Sequence, residues 1–353
     1  MTTRSVIQFV GERKLEVIQE PIHDPGPGEL LIRTHCTLVS TGTESTVYTR
    51  NFAPNTHWDK WVKYPFRPGY LHSGEVLAVG PEVEGWRVGD RIASRSGHAS
   101  HVHLRVAAPK GSNPEQGDCT PVSQGIRIPE GVSHEAACWM GLGKITQLGI
   151  RAAAPEMGDD VVVVGLGVLG QLVAQYSLLM GARRVIAIDT SALRIGMAAH
   201  FGATHCLKQT ATDAHDEAMS LTDGRGADIV YDVTGHPAAF AASLPLVRKF
   251  GKMVLVGDPG NPSAQTLTPD VITRGIRIVG VHDMHAPTTA NHPGDWTDER
   301  IYRLFLHYLS TGQMRTEQLI THRFQPSDAA DAYEYLQTNR HEVMGVMFDW
   351  RNA

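Results

Sequence analysis

The residues best spaced for chemistry are three glycines, Gly165, Gly167 and Gly170. They follow the apolar run Val161–Val164 and precede a helix-like apolar segment that closes at Gly181. This order predicts strand, tight turn and helix. In such a turn the first glycine permits the reversal, the second lets the backbone approach a pyrophosphate, and the third lets the helix pack closely on the strand. Val168 and Leu169, between the second and third glycines, are candidate cofactor contacts, and the start of the helix that follows offers free N–H groups and a positive dipole end to phosphate. A second apolar run, Val185–Ile188, ends at Asp189. A carboxylate there accepts hydrogen bonds from the adenosine ribose hydroxyls and repels a 2′-phosphate, which favours NAD over NADP. The alternative is a glycine-rich turn in some other α/β protein, and the strand, helix and acid in register weigh against it.

A site of this kind needs a parallel sheet behind it. Strand-like segments at Val161–Val164, Val185–Ile188, Ile229–Asp232, Met253–Val256 and Ile276–Val281 alternate with helical ones between about residues 158 and 285, which predicts a doubly wound α/β sheet. Ligands bind at the carboxyl ends of such strands, so Thr190 and Arg194 after the second, Thr234 and Gly235 after the third, and Val256 and Gly257 at the fourth are candidate cofactor contacts. Ahead of this region the chain is β-rich. Short runs at residues 6–10, 14–18 and 30–33, separated by a Pro/Gly turn, suggest a β-meander, with further strands at Gly74–Val79, Arg91–Ser94 and His101–Leu104. Residues 111–125 are polar and turn-rich and are expected to form a surface insertion, and Ser133 is a plausible helix N-cap. Beyond His285 come helices at 300–311 and 327–338 and strands at 319–323 and 343–350. The expected division is 1–150, 151–287 and 288–353, the last segment returning to the first domain.

With 353 residues, two domains are the default. A net charge of −5, with no basic run interleaved with aromatics, argues against nucleic acid. No stretch is long and apolar enough to span a membrane, and the N-terminus does not read as a signal peptide, so a cytoplasmic location is expected. The four cysteines, Cys36, Cys119, Cys138 and Cys206, show no C-x-x-C spacing and suggest neither a disulfide framework nor a zinc cluster. Two histidine groups, His282 with His285 and His98 with His101 and His103, invite a metal reading. The first lacks a convincing third ligand and the second alternates faces on a strand, so structural or substrate-facing roles are favoured.

Pro25-Gly-Pro-Gly-Glu29 before a strand, Pro68-Gly-Tyr70, Gly89-Asp-Arg91 and the central glycine motif together resemble the medium-chain dehydrogenase/reductase superfamily, the relatives of zinc alcohol dehydrogenase, over nearly the whole chain. Ser40-Thr-Gly-Thr-Glu44 and Arg67-Pro-Gly-Tyr70 are similar to a subgroup of bacteriochlorophyllide-type and bacterial sugar or polyol dehydrogenases. The resemblance implies a GroES-like β-rich catalytic domain joined to a Rossmann domain, and a homodimer or homotetramer formed through the edge strand at 275–281. It also implies that Thr146 lies against the nicotinamide and that the backbone at His282 meets its carboxamide.

The departures concern zinc. Thr41 stands where the family places a cysteine ligand, Tyr70 where it places a histidine, and Leu142 where the third ligand falls, so no metal site is expected. Without a Lewis acid, the developing alkoxide must be stabilised by hydrogen-bond donors or a positive side chain. Lys144, on a small and apolar segment, is the candidate to polarise the reacting oxygen together with Tyr70, with His72 or Thr43 relaying the proton; the alternative is that Lys144 reaches out to solvent and Tyr70 fills the metal's volume. Glu44, His282 and Asp283 would add polarity for a hydroxyl-rich small-molecule substrate. The expected activity is NAD-dependent interconversion of a secondary alcohol and a ketone on a sugar, cyclitol or polyol. The alternatives are a zinc-free quinone or enoyl reductase and a non-catalytic NAD-binding redox sensor.

Overall fold

The computed structural model describes residues 3–107 and 125–352. The expected surface insertion therefore lies, apart from Gly125, outside the described residues. The chain divides into two compact units, one from Met1–Asn51, Val62–Gly141 and Trp296–Ala353 and the other from Phe52–Trp61 and Leu142–Asp295.

The first unit opens with an antiparallel hairpin of β1 (Thr3–Gly11) and β2 (Lys14–Pro21). The expected meander stops there. Pro25 and Pro27 cannot donate to a ladder, and Gly28, at φ +76°, turns the chain and donates its N–H to the Pro81 carbonyl at 2.7 Å. β3 (Glu29–Leu38) therefore founds a separate sheet. It pairs antiparallel with β4 (His72–Val79), β4 pairs with β5 (Arg91–Ser94), β6 (His101–Arg105) pairs with β3, and β7 (Ile126–Arg127) pairs with β5. Val6, Leu30, Ile32, Val76, Ile92 and Val102 form its core. Ser133 caps a short helix, His134–Ala137, by accepting from the Ala136 N–H at 3.0 Å. A longer helix, Met140–Ala153, follows it.

The second unit holds β8 (Asp160–Val164), β9 (Arg184–Ile188), β10 (His205–Leu207), β11 (Ala227–Asp232), β12 (Val247–Leu255) and β13 (Arg277–Gly280), all parallel, in the order β10-β9-β8-β11-β12-β13. Every residue of β8 is buried, as expected for a central strand covered on both faces. Because β8 is flanked by β9 on one side and β11 on the other, the turn after it sits at the topological switch point. β10 escapes the sequence reading because His-Cys-Leu carries no apolar run; its place is set by pairing with β9. The chain then returns to the first unit through β14 (Ile320–Phe324) and β15 (Gly345–Asp349), β15 completing the sheet antiparallel to β3. The architecture is a GroES-like β-rich domain with a doubly wound Rossmann domain, as expected.

Candidate active site

At the end of β8 the three glycines do three different things. Gly165 lies at φ +88°, and a Cβ there would meet the Thr234 side chain at 2.7 Å. A Cβ on Gly170 would stand 2.0 Å from the Gly165 carbonyl oxygen, so the Val168–Leu179 helix packs as closely as glycine allows. Gly167 faces open space, with nothing within 4 Å of a Cβ, and as helix N-cap it makes no side-chain capping bond. Room at the middle glycine and an uncapped helix start form a cradle suited to a pyrophosphate.

Asp189 closes this cradle. One carboxylate oxygen accepts from the Leu166 N–H at 2.7 Å and the other from the Ser191 N–H at 2.8 Å, and the Arg194 guanidinium lies 3.7 Å away. Each carboxylate oxygen keeps acceptor capacity for a ribose hydroxyl. Ser191 caps the following helix, and Thr190 is exposed beside it. Buried Gln171 braces the loop by donating to the carbonyls of Leu166 at 3.1 Å and Arg194 at 2.9 Å. Nothing in the glycine motif announces that glutamine.

The neighbouring strand ends lock together. Thr234 donates its hydroxyl and its N–H to Asp232 Oδ1 at 2.6 and 2.9 Å, and burial pushes the Asp232 carboxyl up from its ordinary pKa. Gly235 lies at φ +62°, and a Cβ on Gly257 would fall 2.3 Å from the Gly235 nitrogen. Val256 is buried beneath. Against this edge rests the segment Phe52–Trp61, where Ala53 N–H donates to the Gly260 carbonyl at 2.8 Å and His57 pairs with Asp258 at 2.8 Å. The sequence reading left this segment without a role.

Lys144 is buried, and its Nζ stands 3.6 Å from Asp283 Oδ1. Asp283 follows β13, on the same carboxyl edge as the glycine loop. Thr146 is fully buried, with its hydroxyl donated back to the carbonyls of Leu142 and Gly143. His282 is exposed. Its Nδ1 accepts from the Met284 N–H, while its own N–H donates to His285 Nδ1, both at 3.2 Å. Both rings are thus folded onto local backbone, with centroids 6.1 Å apart.

In the first unit, Tyr70 donates its hydroxyl to Ser40 Oγ, has Thr43 Oγ1 3.4 Å away and carries the Arg95 guanidinium 4.6 Å from its ring centroid. Burial pushes its phenol up from the ordinary pKa. His72 requires a correction. Thr34 spends its proton on the Ala99 carbonyl, so it must accept from His72 Nε2–H, and Nδ1 then accepts from Ser94 Oγ at 2.8 Å. Sealed in the core and driven down to about 3 by burial, His72 has no open nitrogen for proton relay. Glu44 is likewise not a cleft residue. It is buried, accepting from the Ser40 N–H at 2.7 Å and from the Tyr333 hydroxyl, with His98 Nε2 2.9 Å away. These bonds satisfy both carboxylate oxygens inside the core. His103 turns to the His23 carbonyl at 2.9 Å, so the residues 98–103 do not converge. Among the described residues, no three His, Cys, Asp or Glu side chains stand as a metal-binding group.

Residues 26–112 match the family description "Alcohol dehydrogenase GroES-like domain" and residues 168–292 match "Zinc-binding dehydrogenase". The chain belongs to the medium-chain dehydrogenase/reductase superfamily. Within that superfamily it is 28% identical to a sorbitol dehydrogenase of Bacillus subtilis, over 97% of this chain and 96% of that one. It is 25% identical to an L-threonine 3-dehydrogenase of Pectobacterium atrosepticum, over 97% and 92%. An Escherichia coli alcohol dehydrogenase solved with NADH shares the fold at TM-score 0.77 and 19% identity, covering 99% of this chain and all of that one.

The superfamily's zinc does not fit the residues found here. Thr41 is buried with its carbonyl accepting from Arg340 at 2.7 Å, Tyr70 is committed to Ser40, and Leu142 is a buried hydrocarbon. None of these three side chains supplies the thiolate, imidazole or carboxylate that Zn²⁺ takes. Medium-chain dehydrogenase/reductase architecture is therefore retained around a different set of polar groups.

Proposed function

We propose that this protein is an NAD-dependent dehydrogenase that interconverts a secondary alcohol and a ketone on a hydroxyl-rich small molecule, without zinc. The observation that carries the reading is the pairing of buried Lys144 with half-buried Asp283, standing on the same sheet edge as the glycine cradle. Bound in that cradle, a nicotinamide dinucleotide would supply the hydride acceptor. Gly167 and the helix start hold the pyrophosphate, and Asp189 takes the ribose hydroxyls and disfavours a 2′-phosphate. Lys144 presents a positive charge from a desolvated position, where it stabilises oxygen charge more strongly than it would in water. Asp283 fixes the direction of the ammonium. In the reverse sense Lys144 donates to the carbonyl oxygen.

The relatives are named for sorbitol in one case and L-threonine in the other, both hydroxyl-bearing small molecules, and both support dehydrogenation of an alcohol. The preference for a polyol rests on the sorbitol relative.

The test combines metal analysis of the purified protein with NADH release on a panel of sugars, inositols, threonine and simple alcohols, with and without chelator. Chelator-resistant turnover on one hydroxylated substrate in metal-free protein is expected, with NAD bound more tightly than NADP. Stoichiometric zinc with chelator-sensitive turnover would overturn the metal-free mechanism, and tight NADPH binding would direct attention to reduction of activated double bonds.

A further inference from the structure

Cys36 and Cys138 are remote in sequence, yet β3 and the turn between the His134–Ala137 and Met140–Ala153 helices bring their sulfur atoms to 3.4 Å. Both are buried, and the one S–H of Cys138 has two acceptors in reach, the Cys36 sulfur and, at 3.2 Å, the Cys36 carbonyl. A disulfide requires the sulfurs to close by roughly 1.4 Å more, toward a bond of about 2.05 Å, a distance within reach of small side-chain rotations. Single buried cysteines are usually inert hydrophobes. Cys206, half-buried and pushed up by burial, is of that kind.

We propose that Cys36 and Cys138 are a peroxide-sensitive dithiol that closes to a reversible intramolecular disulfide within the first unit. The pair is polarised for this: the hydrogen bond with Cys138 holds the Cys36 thiol below its ordinary pKa, while burial pushes the Cys138 thiol up. Cys36 is thus the attacking thiolate and Cys138 the resolving thiol. Cys36 sulfur attacks one oxygen of hydrogen peroxide, the O–O bond breaks, hydroxide departs, and the sulfur is oxidised by two electrons to a sulfenic acid. Cys138 sulfur then attacks Cys36 sulfur; the S–S bond forms, the S–O bond breaks, and the hydroxyl leaves as water with the Cys138 proton. The sum is two thiols and one peroxide giving one disulfide and two waters. Closure staples β3 to Cys138, two positions ahead of the Met140–Ala153 helix, which carries Lys144.

The inference is independent of the dehydrogenase assignment. The whole protein, treated with hydrogen peroxide and then denatured under thiol-blocking conditions, is expected to lose two of its four titratable thiols. Peptide mapping should recover a Cys36–Cys138 linked species that dithiothreitol removes. In Cys138→Ser the linked species should vanish and a dimedone adduct accumulate on Cys36. If peptide mapping of treated wild-type protein finds these two thiols still reduced, whether or not Cys119 and Cys206 have reacted, the proposal is wrong; this readout needs no variant to fold.

Discussion

Gly167 and Gly170 look interchangeable in a sequence motif and have opposite sensitivities in the structure. A methyl on Gly170 collides with the Gly165 carbonyl oxygen, and overpacking of this kind costs about 1–3 kcal/mol. A methyl on Gly167 meets no protein atom. Gly170→Ala should therefore lower the denaturation midpoint. Gly167→Ala should fold normally and lose NADH affinity by about tenfold or more, since a methyl in the cradle displaces the phosphates. Equal loss of stability in both variants, by urea denaturation and fluorescence titration, would sink the distinction. Lys144→Met should lower kcat by about a hundredfold or more while leaving NADH binding intact, and full turnover would dismiss the lysine. The glycine roles were legible because they are local backbone requirements. The partner of Lys144 was not, because Asp283 reaches it only through the return of β13 to the sheet edge. His72 and Glu44 misled for the complementary reason: their residue types suit chemistry, and only three-dimensional packing reveals that Thr34, Ser94, His98 and Tyr333 consume their hydrogen bonds.

At the scale of elements, β3, β4 and β5 are joined by neutral imidazoles. His72 on β4 bonds to Thr34 on β3 and Ser94 on β5. His134 donates from Nδ1 to Ser73 on β4, because its Nε2 must accept from Arg91 on β5. Burial holds both rings down to about 3. An unfolded histidine takes up a proton near pH 6.5, so between that pH and about 3 the unfolded chain binds more protons than the folded one, and stability falls as pH falls. For His72 alone the loss from pH 7 to pH 5 is about 2 kcal/mol. Urea midpoints at the two pH values should separate accordingly, and the separation should narrow in His72→Gln. Superimposable pH profiles for the two proteins would remove the histidine from the account. Most strands were readable from apolar runs. The exceptions were short strands defined by their partners, such as β10, and the departure of β3 from the first hairpin, which depends on a carbonyl at Pro81 that no local pattern reveals.

At the scale of the molecule, β13 pairs among the described residues only with β12 and leaves Arg277, Ile278 and Gly280 exposed. Phe250 and Ile272 are exposed in the same unit. An open strand edge with apolar side chains invites pairing with another chain, and we propose that a second copy covers it in a homodimer. Ile278→Glu should halve the mass measured by light scattering, and an unchanged mass would place the interface elsewhere. Among the described residues no helix is long and apolar enough to cross a membrane. The two-part architecture was legible at this scale because the change from β-rich to alternating β/α composition is coarse. The allegiance of Phe52–Trp61 was not, since its ties include an ion pair to Asp258 and a backbone bond to Gly260, made far along the chain.

That allegiance bears on how such proteins can be recombined. A crossover or designed chimera cut near residue 142 would bring in a foreign nucleotide-binding half while keeping the native Phe52–Trp61, whose matching surface at Asp258 and Gly260 has been discarded with the old half. Hybrids of this lineage should work only when the ten-residue tract travels with the half it touches, so inheritance of the two parts is linked across a gap in the gene.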